Sequence, residues 1–189
     1  WTTPMVFAPG NGVEPQLIVL SSTRLDGYTL ATGEPRWWMP LSSQGAIGTA
    51  VAHQDSVIVA TLAGSEPWME PFESALKTFD TDQDGKLSRA EYATEKGFGE
   101  HFGWLDANGD DIVDRREYED ARAMGVGEYG VAAIKPAGLR GKVDPGAAIW
   151  RFKKNLPFVP TPVVYDGLVY MVKTGGIVTA IDPATGQAT

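Results

Sequence analysis

Outside one interval, the chain alternates between apolar runs of strand length and breaks made of Gly, Pro, Asp and Asn. Residues 16–22, 56–62, 162–165 and 168–173 are rich in Val, Ile, Leu and Tyr, and their length and β-branched content predict strands. Asp166-Gly167 sits between two such runs and predicts a tight hairpin, while Asn11-Gly12 and Asp55-Ser56 predict turns elsewhere. From residue 66 to 127 the period changes. Phe72, Ala75, Leu76 and Phe79 recur at helical spacing, with Ser65-Glu66-Pro67 as a helix start. Phe102 and Leu105 repeat the pattern, and residues 118–124 predict a short helix ending at Gly125.

The strand-rich part repeats. Thr3-Pro4-Met5-Val6-Phe7, Thr49-Ala50-Val51-Ala52-His53 and Thr161-Pro162-Val163-Val164-Tyr165 hold the same place in three successive units, each followed by a hairpin and a second strand. The first two begin 46 residues apart, and the second and third 112 apart, or about 50 once the helical interval is removed. A period of about 45 to 50 with several strands per repeat is that of β-propeller blades. The expected organisation is therefore mainly β. The first blade and the start of the second lie in 1–65, a helical insertion in 66–127, and the remaining blades in 128–189.

The insertion carries the chemistry. Asp80-Thr81-Asp82-Gln83-Asp84-Gly85-Lys86-Leu87-Ser88-Arg89-Ala90-Glu91 alternates oxygen ligands with spacers, as a loop wrapping a hard cation requires. Asp80, Asp82 and Asp84 would each give a carboxylate oxygen and Lys86 its backbone carbonyl. Ser88 would act directly or through a water, and Glu91 would close the site with both oxygens. Gly85 supplies a left-handed turn. A second run, residues 106–117, offers Asp106, Asn108, Asp110, the Ile112 carbonyl, Asp114 and Glu117 at the same spacing. Here Asp111 stands where the first loop has glycine, and Gly109 falls two places early. A left-handed Asp costs roughly 1 kcal/mol, so this loop is expected to be weaker or slightly re-threaded.

Each run resembles the calcium loop of an EF-hand, and the resemblance implies two calcium sites, with Leu87 and Val113 pairing as a short bridge between them. The loops start only 26 residues apart (80 and 106), and the link holds Gly97, Gly99 and Gly103. A compact, rigid calcium unit is expected, not a sensor that swings open. The strand units resemble another family. Pro162-Val163-Val164-Tyr165-Asp166-Gly167-Leu168-Val169-Tyr170, continuing through Gly176-Ile177-Val178-Thr179-Ala180-Ile181-Asp182 to Thr185-Gly186, is similar to the repeat of pyrroloquinoline-quinone (PQQ)-type propellers. That family includes quinoprotein alcohol dehydrogenases and non-enzymatic outer-membrane assembly lipoproteins. Its blade runs through a hairpin and a Thr-Gly turn to a tryptophan, and Trp37 and Trp150 stand at or near that place, expected to pack between blades. About three blades do not close a ring, so the chain is expected to be a segment of a longer polypeptide. A ring assembled from several chains is the alternative.

Charge narrows the function. Residues 66–127 hold 16 acidic and 7 basic residues, so the whole formal charge of −8 comes from this block. No basic stripe is present, which argues against nucleic-acid binding. No apolar run approaches the 18 residues needed to span a membrane, and the chain has no cysteine. The resemblance implies a periplasmic or extracellular protein in which calcium staples an exposed insertion. The expected role is a non-catalytic interaction scaffold whose partners are other subunits or further blades. The alternative is part of a PQQ-dependent dehydrogenase whose active-site blades lie elsewhere. Such enzymes use an aspartate base, an axial calcium and usually a vicinal disulfide. The clustered acids here are committed to the two loops, so no PQQ, catalytic residue or quinone-binding residue is expected. His53 and His101 read as packing or surface residues.

Overall fold

The structure is a computed structural model describing residues 2–10, 12–42, 47–62, 66–95 and 99–189. It is mainly β, with four open sheets and no closed barrel among the described residues. The chain divides into two compact units, one formed by Trp1–Gly64 with Gly127–Thr189 and the other by Ser65–Val126.

In the strand-rich unit, β1 (Met5–Phe7), β2 (Gln16–Leu20), β3 (Arg24–Thr29) and β4 (Pro35–Pro40) form an antiparallel meander. The next sheet opens with β5 (Val51–His53) and β6 (Ser56–Thr61), joined by a two-residue turn with Gln54 left-handed. The chain then leaves for the second unit, where β7 (Leu87–Ser88) and β8 (Ile112–Val113) pair antiparallel. It returns as β9 (Gly130–Ile134), which lies antiparallel beside β6 with Thr61 opposite Gly130. Next, β10 (Gly141–Lys142) pairs parallel with Trp37 and Trp38 at the edge of the first sheet, and β11 (Trp150–Phe152) completes the second. The third sheet is β12 (Val163–Tyr165), β13 (Leu168–Lys173) and β14 (Ile177–Ile181), with Ala188 bridging Ile181.

The sequence repeat is a repeat of geometry. Each first strand begins two residues after its threonine, at Met5, Val51 and Val163. The Thr-Gly turns match bond for bond. Gly33 N donates to Thr29 O at 2.8 Å and Thr29 N to Glu34 O at 2.9 Å. Gly186 N donates to Asp182 O at 2.8 Å and Asp182 N to Gln187 O at 2.9 Å. Both glycines have φ 73°, which a side chain would strain. The Asp166-Gly167 hairpin places both residues left-handed, as a two-residue turn of that hand demands.

Alternate residues of β6 and β9 point to opposite sides of the middle sheet. Val57, Val59, Ala132 and Ile134 join Ile18, Leu20, Leu25, Trp37 and Met39 of the first sheet in one core. Ile58, Val131, Ala133 and Trp150 join Val169, Met171 and Ile181 of the third in another. Trp37 and Trp150 thus both lie between sheets. Trp37 Nε1 donates to Gln16 Oε1 at 2.7 Å, and Trp150 Nε1 to Pro183 O at 2.7 Å. No buried side-chain polar atom among the described residues lacks a partner.

In the acidic unit, α1 (Phe72–Phe79) leads into the first loop and α2 (Arg89–Tyr92) leaves it. A second pair, α3 (Phe102–Leu105) and α4 (Arg115–Ala123), flanks the second loop. Phe72, Tyr92, Phe102, Leu105 and Tyr118 form its core with Leu87 and Val113, and Phe79 meets Tyr92 edge-on at 5.2 Å. Two boundaries differ from the sequence expectation. The helix expected from Ser65-Glu66-Pro67 begins at Phe72, because Pro71 takes the N-cap place in an extended conformation; Ser65 itself lies outside the described residues. The last helix starts at Arg115, three residues early, because Asp114 and Glu117 form a capping box. Asn11 of the expected Asn11-Gly12 turn and Gly97 of the link also lie outside the described residues, although Gly12 is left-handed and Val13 N bonds Gly10 O at 3.0 Å. No helix is long and apolar enough to cross a membrane among the described residues.

The close approach of Gly27 to the Trp37 indole gives a test. A methyl group on Gly27 would lie 2.2 Å from Trp37 Nε1. Gly27→Ala must therefore push the indole off Gln16, and a loss of about 1–3 kcal/mol in chemical denaturation is expected. Unchanged stability would show that the ring is not held there.

Candidate metal centre

The two acidic loops share one backbone. In the first, residues 83 and 85 are left-handed, at φ 61° and 80°; in the second, residues 109 and 111 are, at 76° and 64°. These are the fourth and sixth places of each loop. The first loop fills them with Gln83 and Gly85, the second with Gly109 and Asp111. Each loop therefore carries one glycine and one strained side chain. The second loop is not re-threaded, and its early glycine compensates for Asp111.

Hydrogen bonds repeat the match. Asp80 accepts from the amides of Asp84 and Gly85 at 3.2 and 3.0 Å, and Asp106 from those of Gly109, Asp110 and Asp111 at 2.7, 3.1 and 3.0 Å. Asp82 Oδ1 accepts from Asp84 N and Asn108 Oδ1 from Asp110 N. Asp84 Oδ1 holds Lys86 N at 2.8 Å, as Asp110 Oδ1 holds Ile112 N at 3.0 Å. Glu91 reaches back across its loop: Oε1 accepts from Thr81 N at 2.8 Å and Oε2 from Ser88 N and Oγ at 3.0 and 2.7 Å. Glu117 does the same, taking Ala107 N at 3.0 Å and Asp114 N at 3.1 Å. Each closing glutamate also completes a capping box, with Ser88 or Asp114 as N-cap. Ser88 and Asp114 are thus placed as helix caps as well as at the ninth loop position.

The structure brings Asp80, Asp82 and Asp84 together, with one oxygen from each lying within 4.8 Å of the others. Three carboxylates at that spacing repel one another, and a hard cation between them relieves the repulsion. The second loop puts the neutral Asn108 in the middle place, where its amide donates to Asp110 Oδ2 at 3.1 Å. Asp106 is buried, whereas Asp110 and Asp114 are exposed. The backbone of Lys86 and Ile112 sits where the loop pattern asks for a carbonyl ligand. Every donor is a neutral or anionic oxygen, a set suited to hard cations and unsuited to soft ones.

Electrostatics single out Glu91. The Ser88 hydroxyl, then the Ser88 and Thr81 amides, hold its carboxyl down at about 2. Sequence reasoning missed Arg89. Its Nε donates to Asp111 Oδ1 at 2.6 Å, its Nη2 lies 3.8 Å from Asp106 Oδ2, and its guanidinium covers the Phe102 ring at 4.7 Å. No spacing rule signals this, because the contact joins the end of one loop to the middle of the other. His101 stacks on the exposed Trp104 at 4.6 Å, and His53 ends β5 opposite Ser56. No family model matches the chain, and no curated protein matches its sequence.

The position of Glu91 fixes a pH dependence. A carboxylate depressed from 4.5 to about 2 stabilises the fold fully above pH 4.5, and that contribution is lost as pH falls towards 2. Carboxyl carbon NMR titration of the metal-free protein is expected to find Glu91 at about 2. Ser88→Ala should move it upward; a midpoint at the ordinary glutamate value in both proteins would contradict the hydroxyl's role.

Proposed function

We propose that this chain is a segment of a PQQ-type β-propeller carrying an inserted EF-hand pair, and that it works as a calcium-stabilised, non-catalytic interaction scaffold. The observation that carries the reading is the matched frame of the two acidic loops. Left-handed residues fall at the same places, the amides of each loop turn inward onto its acids, and each closing glutamate reaches back to the loop start. Six to eight hard oxygens around one ion are what calcium takes, and carboxylates with backbone carbonyls are its usual ligands. Asp80, Asp82, Asp84, Lys86, Ser88 and Glu91 would hold one ion. Asp106, Asn108, Asp110, Ile112, Asp114 and Glu117 would hold the other. Each site offers four carboxylates, Asp114 in the second making up for Asn108, and the second is proposed as the weaker.

The propeller part rests on three successive antiparallel meanders, the first with β10 added at its edge, each stacked on the next. The outer faces at both ends of this stack carry apolar residues, on the first sheet beside the Arg24–Asp26 ion pair. Val6 and Leu17 lie on that of the first sheet, and Val163, Tyr165, Val172 and Val178 on that of the third. Further sheets of the same kind, or other subunits, would cover them. An exported setting with millimolar calcium would keep even a weak site filled, since extracellular sites of this type bind at about 10⁻⁴ to 10⁻³ M. Calcium would then act as a staple, and the loops would present a fixed surface.

Native mass spectrometry from calcium-containing buffer tests the reading. Wild type should carry two calcium ions, lost on chelation, with no quinone-sized adduct. Glu91→Gln removes charge and two-oxygen closure at constant size, and should carry one ion. Two ions retained in Glu91→Gln would overturn the first-loop assignment, and a bound quinone would turn the reading to an oxidoreductase.

A further inference from the structure

The second loop has two basic residues of its own, and neither serves its acids: Arg115 pairs with Glu73, and Arg116 lies 3.9 Å from Asp120. The cation that faces its acids comes from the other loop. Arg89 precedes the closing Glu91 by two residues, yet its side chain crosses to Asp111 and approaches Asp106. Three further contacts fix its position. Its amide donates to Asp111 O at 3.1 Å, its guanidinium lies 4.7 Å from the Phe102 ring centroid, and β7 pairs with β8 immediately before it. Asp106 is the first ligand place of the second loop, and its side chain is only 2 % exposed.

We propose that Arg89 is the built-in counter-cation of the second loop, setting its calcium affinity below that of the first and holding the acidic unit together when calcium is scarce. The inference rests on the reading of the two loops as calcium sites. The physical argument has two parts with one sign. A guanidinium beside Asp106 and Asp111 lowers the repulsion among the second loop's acids before any ion arrives, which stabilises the ion-free state. The same charge repels an arriving divalent cation. Both effects weaken binding, and they fall most on the second loop, since Asp80, Asp82 and Asp84 of the first meet no arginine among the described contacts. An exposed ion pair alone contributes little, but this one faces a buried carboxylate and is fixed by a ring and a backbone bond. Asp111 thereby gains a role that a glycine at its place could not fill.

The test is a calcium titration by calorimetry in the Glu91→Gln protein, where the second loop alone reports. Arg89→Gln keeps a hydrogen-bonding side chain and removes the charge. It should tighten the second site by about fivefold to tenfold. Thermal unfolding of the same variant in chelator should fall below that of the Glu91→Gln parent, and the two should converge in molar salt, where charge is screened. Arg89→Lys should restore the parent's weaker affinity and its stability in chelator. Arg89 is half exposed, so its loss leaves no buried void. Unchanged or weakened affinity in Arg89→Gln, with the parent still binding one ion, would overturn the inference and leave the calcium reading intact. A Glu91→Gln protein that takes up no calcium would remove the second site itself, and the inference with it.

Discussion

Burial of the middle sheet on both faces is the constraint from which the strand-rich unit follows. Val57, Ile58, Val59, Val131, Ala132 and Ala133 are all fully buried, although neighbours along a strand point to opposite sides. A sheet in that position cannot alternate apolar with polar, which is why the β6 and β9 segments read as continuous hydrophobic runs. Its two faces then select their neighbours. One takes the large residues of the first sheet, with Trp37 anchored to Gln16, and the other takes Val169, Met171 and Ile181. The small Ala132 and Ala133 leave room for bulky partners on either side.

The pairing of β6 with β9 also explains how so long an insertion is tolerated. Thr61 and Gly130 are cross-strand partners, and the Thr61 hydroxyl donates to Gly130 O at 3.3 Å while accepting from Gly130 N at 3.1 Å. The segment between them therefore leaves and returns at adjacent points of one ladder. Loop-closure entropy grows only with the logarithm of length, so the sheet bears a modest cost for its insertion. Within the insertion, cohesion comes from a separate aromatic core around Tyr92 and Tyr118, whose hydroxyls are pushed to higher pKa by burial.

Much of this arrangement was legible in the chain. Strand-length apolar runs, the three threonine-led starts and the Asp166-Gly167 turn are local signals, and the elements they predict form where expected. The shared frame of the two acidic loops was legible because their oxygen-bearing residues are spaced along single segments, and the Leu87–Val113 bridge followed from it. What the sequence hid is non-local. The two residues of β10 carry no strand signature, being Gly141 and Lys142, and their parallel pairing with β4 depends on where two distant segments meet. Arg89 looks like any solvated residue of a short helix until the second loop is folded beside it. The helix start was misplaced because Pro67 suggested a first turn, whereas a second proline, Pro71, held the preceding backbone extended.

The exchange of glycines between the loops has a consequence for how such segments vary. The backbone asks for two left-handed residues, and it accepts a side chain at one of them. Glycine is thus a requirement of the pair and not of a numbered position, and the two loops are alternative solutions to one equation. A pattern that insists on glycine at the sixth place accepts the first loop and rejects the second, although their amides converge on the same oxygens. Read over both places together, the two segments belong to one class. The freedom that remains, a side chain at either place, is what allowed Asp111 to be recruited as an anchor across the unit.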